Sequence, residues 1–314
     1  MSDIENFTPQ PTADGSLTFF SEEFNELFHS HFGAHQESFQ KFVVPTQLEN
    51  QAKKPVLRLL DICYGLGYNT AAALQTIWAV NPSCYVEIIG LELNSAVPKA
   101  AINHNIYQYG DCKYTEILTE LANNNYAQND NFKATLLIGD ARTTIGQVQL
   151  AGFQADAIFL DPFSPPQCPQ LWSVEFIKYV SNCLHVNGLL ATYSCAASVR
   201  TALLTAGLTI ASTPPVGRKA PGTVAACRAV PGVVQANSPQ SSPVHTSPSP
   251  FLLPHLSRLE LEHLQTRAAI PYRDPQLCDR AEVIVERRKK EQQISSLEPT
   301  SHWRKRWPAL NSEK

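Results

Sequence analysis

Apolar runs at residues 56–61, 85–92, 134–139, 155–161, 188–194, 207–212 and 223–229 punctuate the middle of this chain. Several of the segments between them, at 70–80, 172–184 and 196–206, instead place apolar residues three and four positions apart. A short run apolar on both faces suits a strand covered on both sides, and the longer spacing suits an amphipathic helix. Strands alternating with helices predict parallel pairing, and right-handed crossovers then give a doubly wound α/β sheet of about seven strands.

The flanks read differently. Residues 1–50 open with the turn-rich stretch Thr8-Pro9-Gln10-Pro11-Thr12-Ala13-Asp14-Gly15, and the spacing of Phe24, Leu27, Phe28 and Phe32 predicts a helix after it. Residues 51–230 hold the α/β pattern. Residues 231–255 are rich in Pro and Ser and cannot bury enough apolar surface to offset ordering, which predicts a flexible linker. Residues 256–314 predict helices at 256–269 and 280–293, interrupted by Pro271 and Pro275.

Composition narrows the class. The 314 residues are 43% hydrophobic and 9% aromatic, enough for a real core, and no apolar run reaches the ~20 residues that span a bilayer. The start is acidic and polar, unlike a secretory signal, so a cytoplasmic protein is expected. Eight scattered cysteines without a Cys-x-x-Cys pair argue against a zinc knuckle or a disulfide framework. Residues 1–230 carry 13 basic against 19 acidic side chains, and residues 231–314 carry 12 against 9. A uniformly basic nucleic-acid binder is excluded, but a basic appendage on an acidic body is not.

In an open parallel sheet, ligands lie beyond the carboxyl ends of the strands. The first such end, Asp61-Ile62-Cys63-Tyr64-Gly65-Leu66-Gly67, leads from a strand into a helix at about Tyr68. Glycines there allow close backbone approach, although an ordinary glycine-rich connection has the same look. A dinucleotide site would prefer a third glycine where Thr70 stands, and a pyrophosphate would not welcome Asp61. The pattern suits a cofactor with a cationic end, of which S-adenosyl-L-methionine is one. Glu92, ending the next strand, could accept both hydroxyls of an adenosine ribose. Asp140 could accept from the adenine amino group, or could simply cap the helix that follows.

The fourth end, Leu160-Asp161-Pro162-Phe163-Ser164-Pro165-Pro166, places a carboxylate between an apolar strand and a rigid aromatic turn. Methyl transfer to an amine needs a neutral nitrogen lone pair behind the methyl group. A carboxylate can aim that lone pair and take up the departing proton. His29-x-His31-x-x-x-His35 lacks a completing ligand, so no metal is expected. The runs 287–290 and 303–307 interleave basic and aromatic residues and could touch RNA, or form a solvated tail.

With these residues assembled, the chain resembles the tRNA 5-methylaminomethyl-2-thiouridine methyltransferases, including the methyltransferase half of the bifunctional bacterial wobble-uridine enzyme. The resemblance covers about residues 12–230. Asp14-Gly15-Ser16 and Phe28-His29-Ser30-x-x-Gly33-Ala34-x-x-Glu37-Ser38 match its N-terminal pattern, with Phe28 where Tyr is usual. Gly65-Leu66-Gly67-Tyr68-Asn69, Glu92, Gly139-Asp140, Asp161-Pro162-Phe163-Ser164-Pro165, Trp172, residues 188–194 and Gly217-Arg218-Lys219 follow in order. The resemblance implies a Rossmann-like class I methyltransferase sheet with its last strand antiparallel, an N-terminal cap and a helical C-terminal tail.

By position it implies that Asp61, Gly65, Gly67, Asn69, Glu92, Leu93, Asp140 and Ala141 hold S-adenosyl-L-methionine. Asp161 would be catalytic, and Phe163, Pro165, His29, Glu37, Arg218 and Lys219 would meet the substrate. The implied reaction is N-methylation of the 5-aminomethyl group of the wobble uridine in tRNA. The chain carries no stretch for the FAD-dependent oxidase half, so a separate enzyme is expected to supply the aminomethyl group. Two alternatives stay open on the residues alone: a small-molecule amine methyltransferase or aminopropyltransferase, and a non-catalytic RNA-binding protein with a degenerate fold.

Overall fold

Among the described residues, eight strands form one mixed sheet: β1 (Val56–Ile62), β2 (Tyr85–Glu92), β3 (Tyr126–Asn129), β4 (Phe132–Ile138), β5 (Ala155–Leu160), β6 (Leu184–Thr192), β7 (Leu208–Ser212) and β8 (Thr223–Cys227). A computed structural model describes residues 7–107, 114–216, 220–228 and 253–307. The strand order is β7-β8-β6-β5-β1-β2-β4-β3. β1 pairs in parallel with β2 and β5, so the chain leaves β1 in one direction and later returns to its other side. That switch in strand order opens the crevice where such sheets bind ligands.

The expected antiparallel last strand is β8, inserted between β6 and β7 and antiparallel to both. An eighth strand, β3, pairs antiparallel with β4 at the far edge. It escaped the sequence reading because Tyr126-Ala127-Gln128-Asn129 buries a single side chain, Ala127, and so leaves no apolar run.

Side-chain parity divides the core. On β1, Leu57 and Leu59 enter one apolar layer, whereas Leu60 and Ile62 enter the other; on β5, Ala157 and Phe159 separate from Ile158 and Leu160 in the same way. The first layer is covered by α1 (Tyr68–Val80), α2 (Ala96–Asn103), α3 (Thr115–Asn124) and the N-terminal residues. The second is covered by α4 (Ala141–Leu150), α5 (Val174–Asn182), α6 (Ala197–Thr205) and the C-terminal segment. Asp61 follows the parity of Leu57 and Leu59, and Asp161 that of Phe159. Glu92 likewise follows Val86 and Ile88 of the first layer. Period two thus brings three strand-end carboxylates out on the α1 side.

The helix expected around 24–32 is not formed. Phe20–Ser21 and Glu26–Leu27 pair as a tight hairpin, with Asn25 in the left-handed region at φ 50°. Tertiary contact explains it, because Phe24 and Phe28 both lie against Phe163, a demand that local spacing does not register. Helix begins at Ala34–Glu37 and continues as one stretch of π-helix, Ser38–Val43, where Val44 N–H donates to Phe39.

The linker expected at 231–255 lies outside the described residues except for its last three. Beyond it, α7 (Arg258–His263) and a 3₁₀ turn (Arg267–Ala269) replace the single helix expected at 256–269. Helix α8 (Ala281–Ile294) matches the second expected helix, and α9 (Thr300–Arg306) adds one more. This segment docks on the sheet's second layer. Tyr272 and Ile284 are buried there, and buried Arg200 of α6 pairs with Glu260 at 2.8 Å.

The two basic and aromatic runs of the tail serve this docking. Arg287 pairs with Asp279, and Arg288 donates to the carbonyls of Ile270 and Ala268 while lying over the Tyr272 ring. Trp303 is buried, stacked on His263 with centroids 4.1 Å apart. Trp307 and Arg306 both bind Glu262. Lys289, Lys290 and Lys305 stay exposed.

Candidate active site

The turn after β1 is built from three left-handed residues: Cys63, Gly65 and Gly67, at φ 65°, 55° and 80°. An L side chain rarely tolerates that region, so the two glycines are conformational requirements. At Gly67 there is a second reason, since a Cβ would sit 2.6 Å from the Tyr64 hydroxyl. Gly67 therefore serves packing and does not line the cavity, whereas Gly65 does. The amide of Gly65 donates to Glu92 at 2.7 Å, and that of Asn94 donates to the other oxygen of Glu92 at 2.9 Å. Burial raises the Glu92 pKa, and these amides work against the rise.

A cavity of about 1000 Å³ opens over this turn. It is at the upper end of the usual range for small-molecule sites and has room for a nucleoside donor and an acceptor. Gly65, Asn69, Glu92, Leu93, Asp140 and Ala141 line one part of it; Asp161, Phe163, His29 and Glu37 line another. Three residues expected at the site stand back from it. Asp61 is fully buried behind the turn and accepts from the Thr70 hydroxyl at 2.8 Å. Gly67 and Pro165 pack without reaching the cavity. Arg218 and Lys219 lie outside the described residues.

Asp161 extends the β5 ladder, its amide donating to Ile62 at 3.1 Å, and its carboxylate accepts from Asn69 Nδ2 at 2.9 Å. Burial raises its pKa well above the usual carboxylate range. The Asn69 bond opposes that, Glu37 and Asp61 add to it by like charge, and Lys41 counters them. A carboxylate so placed is a stronger base than one in water. Its turn is pinned by two bonds from later in the chain, Trp172 Nε1 to the Phe163 carbonyl at 2.8 Å and the Tyr193 hydroxyl to the Pro162 carbonyl at 2.9 Å.

The N-terminal hairpin roofs this turn. Phe24 stacks on Phe163 with centroids 4.5 Å apart, and Phe28 meets the same ring edge-on at 5.1 Å. Both Glu26 oxygens engage Ser164, one accepting from its amide at 2.8 Å and the other bonded to its hydroxyl. Phe28, where the resembled family usually has Tyr, thus presents a ring edge.

Lys41, Glu26, Phe24 and Tyr193 also line the cavity and were not singled out from the sequence. Lys41 is 2% exposed and pairs with Glu37 at 3.2 Å; Glu37 also accepts from the amide and hydroxyl of Ser30. Burial alone would raise the Glu37 pKa, but Lys41, the Ser30 bonds and His29 together hold it below the usual range. The spacing Glu37-x-x-x-Lys41 was the available signal, an i,i+4 pair in an otherwise uncharged stretch. His29 is half-buried, its Nδ1 shielded from solvent and lacking a hydrogen-bond partner; desolvation lowers its pKa to about 4 against the pull of Glu37 and Asp14, so it is neutral at pH 7.

Asp140 does cap α4, its Oδ1 accepting from the Arg142 amide at 2.9 Å. It also receives the Arg142 guanidinium, from Nε at 3.1 Å to each oxygen and from a terminal nitrogen at 2.7 Å. Among the described residues no cluster of His, Cys, Asp or Glu could hold a metal ion, and no helix is long and apolar enough to cross a membrane.

The site fits a donor with a cationic end. Asn69 Oδ1 and Asp61 Oδ1 are buried acceptors with no hydrogen-bond partner, and Glu92, Asp161 and Glu37 add negative charge around the cavity. Comparison with known proteins agrees. A family model described as S-adenosyl-L-methionine-dependent methyltransferase matches residues 104–228. An uncharacterized Methanocaldococcus jannaschii protein is 31% identical over 215 residues, covering 66% of this chain and 56% of that protein. The tRNA 5-methylaminomethyl-2-thiouridine biosynthesis bifunctional protein MnmC of an Acidovorax species is 27% identical over 216 residues, 64% of this chain and 33% of its own length. The chain thus spans about half or a third of these curated relatives. The crystal structure of MnmC2 from Aquifex aeolicus superposes with a TM-score of 0.75 at 31% identity, over 92% of this chain and 86% of that one. With its glycine turn, its acid-Pro-Phe-Ser-Pro turn and this match over nearly its whole length, the chain belongs to the MnmC methyltransferase-like family and uses S-adenosyl-L-methionine as cofactor.

Proposed function

We propose that this methyltransferase methylates the amino nitrogen of a 5-aminomethyl group on the wobble uridine of tRNA. The observation that carries the reading is Asp161, held by Asn69 at the edge of the cavity beside the Phe163 ring and beneath the aromatic roof. The names of the Acidovorax and Aquifex relatives point the same way.

When bound, the donor supplies an electrophilic methyl group on a sulfonium. Gly65, Asn69, Glu92, Leu93, Asp140 and Ala141 would hold it, with Asp61 contributing negative charge from behind the turn. The chain's own part is positioning and proton handling. Asp161 accepts a hydrogen bond from the incoming amine, orients its lone pair and takes the proton that must leave. Its raised basicity suits it to that task. Phe163, with Phe24 and Phe28, encloses the base and excludes water. Neutral His29 and the Glu37–Lys41 pair lie on the acceptor side.

One observation favours a second reading, a small-molecule amine methyltransferase: much of the basic and aromatic tail is spent on internal contacts rather than on a free RNA-binding surface. Offering the full chain labelled donor with tRNA bearing 5-aminomethyluridine, and separately with small primary amines, decides between them. Labelling of the wobble nucleoside is expected; labelled amines with unlabelled tRNA would overturn the tRNA reading. Asp161→Ala should lower turnover by about 10²–10⁴-fold while leaving donor binding nearly unchanged. Full turnover in that variant would remove Asp161 from the mechanism.

A further inference from the structure

Arg142 stands where a cation is unfavourable, in the first turn of α4 at the positive end of the helix dipole. What holds it there comes from far along the chain. One terminal nitrogen of its guanidinium donates to Asp274 Oδ2 at 2.8 Å and to the Asp279 carbonyl at 2.9 Å. Asp274 is fully buried, and its other oxygen accepts from the amides of Cys278 and Asp279, both at 3.1 Å. The segment is secured to α5 without Arg142, because the Asp274 amide donates to Glu175 at 2.8 Å and Tyr272 bridges to Ser173. A rigid buried carboxylate therefore aims the Arg142 fork, and the fork in turn grips both oxygens of Asp140, which lines the cavity.

We propose that the 274–279 turn of the C-terminal segment is part of the donor site, with Asp274 and Arg142 acting as positioning residues that fix the Asp140 carboxylate to read the 6-amino group of adenine. This rests on the reading of Asp140 as the adenine contact. An ionised carboxylate only accepts hydrogen bonds, so it welcomes an amino group and repels a carbonyl oxygen at the same place. Reading of that kind needs a carboxylate that cannot swing away. The N-cap bond restrains one oxygen; the guanidinium fork, itself anchored, restrains the plane. The turn lies outside residues 104–228, where the methyltransferase family model matches, so this part of the site comes from elsewhere in the chain.

The test is binding selectivity, measured by calorimetry on the full chain. S-adenosylhomocysteine is compared with S-inosylhomocysteine, which carries a carbonyl in place of the amino group. The wild type should prefer the adenosyl compound by about 30-fold, the scale of a charge-assisted hydrogen bond against an unpaired group. Asp140→Ala should abolish the preference. Asp274→Asn, which turns an amide N–H₂ toward Arg142, should reduce it to under about 5-fold, with Arg142→Lys between. A ratio of two affinities is insensitive to a change in the folded fraction, so a purely structural role would leave it in place. If Asp274→Asn fails to fold, Arg142→Lys decides the matter alone. Retention of the wild-type ratio in both variants, with its loss in Asp140→Ala, would overturn the positioning role and leave the Asp140 reading intact. No preference in the wild type would overturn both.

Discussion

Asp61→Asn should stabilise this protein at alkaline pH and leave it unchanged in acid. Asp61 is fully buried, and burial raises its pKa to about 7, the Thr70 bond opposing and the Glu92 charge assisting that rise. From the ordinary value of 3.8, the shift is about 3 units, equivalent to roughly 4 kcal/mol. The direction sets the pH window. A carboxyl whose folded pKa is raised binds its proton more tightly when folded, so its contribution is full below pH 4 and is lost as pH climbs through about 7. At pH 8 the wild type carries the whole cost of a buried charge. Asparagine keeps the shape and a neutral acceptor for Thr70, as the protonated carboxyl does, without the charge. The net gain at pH 8 should be on the order of 4 kcal/mol, or roughly 6 °C in Tm for a chain of this length. Thermal melts of both proteins without ligand between pH 4 and 8 read it directly. Parallel curves, or a variant less stable at pH 8 than at pH 4 relative to wild type, would refute the reasoning.

Three further outcomes follow from contacts in the site and the tail. Lys41→Met removes the cation paired with buried Glu37 and should cost about 3 kcal/mol in urea unfolding, with Glu37→Gln added to it restoring part of the loss; additive effects would show that the pair is not coupled. Glu26→Gln weakens the clamp on Ser164, so KM for the acceptor should rise about tenfold with donor affinity changed less than about twofold; steady-state kinetics beside calorimetry would expose the opposite pattern. Trp303→Ala removes a buried indole stacked on His263, at an expected cost of about 3 kcal/mol, and an unchanged urea midpoint would mean that the tail contributes nothing to the stability of the core.

Much of the frame was legible because it depends on local pattern. The runs that became β1, β2, β5 and β6 are apolar on both faces, and a central strand between two helical layers buries both. The carboxyl ends of β1, β2, β4 and β5 lie side by side in the sheet, which is why Gly65, Glu92, Asp140 and Asp161 could be named together. Strand parity also places the acids. That Asp61, Glu92 and Asp161 emerge on one side follows from counting by two along three strands, once the layers are known.

What the sequence by itself determined, then, is the sheet apart from its β3 edge, the glycine turn and the strand ends that carry acids, since each follows from a period or a dihedral requirement confined to a few residues. Tertiary structure decided the rest. The Phe24–Phe28 segment became a hairpin rather than a helix because its rings are wanted on Phe163, more than a hundred residues away. The arginines and tryptophans of the tail became internal fasteners, since Tyr272, Glu262 and His263 offered them partners that no local spacing reveals. Arg142 found its anchor in Asp274 the same way. Contacts between distant segments carry no periodicity along the chain, and only the folded packing brings those side chains within hydrogen-bonding reach.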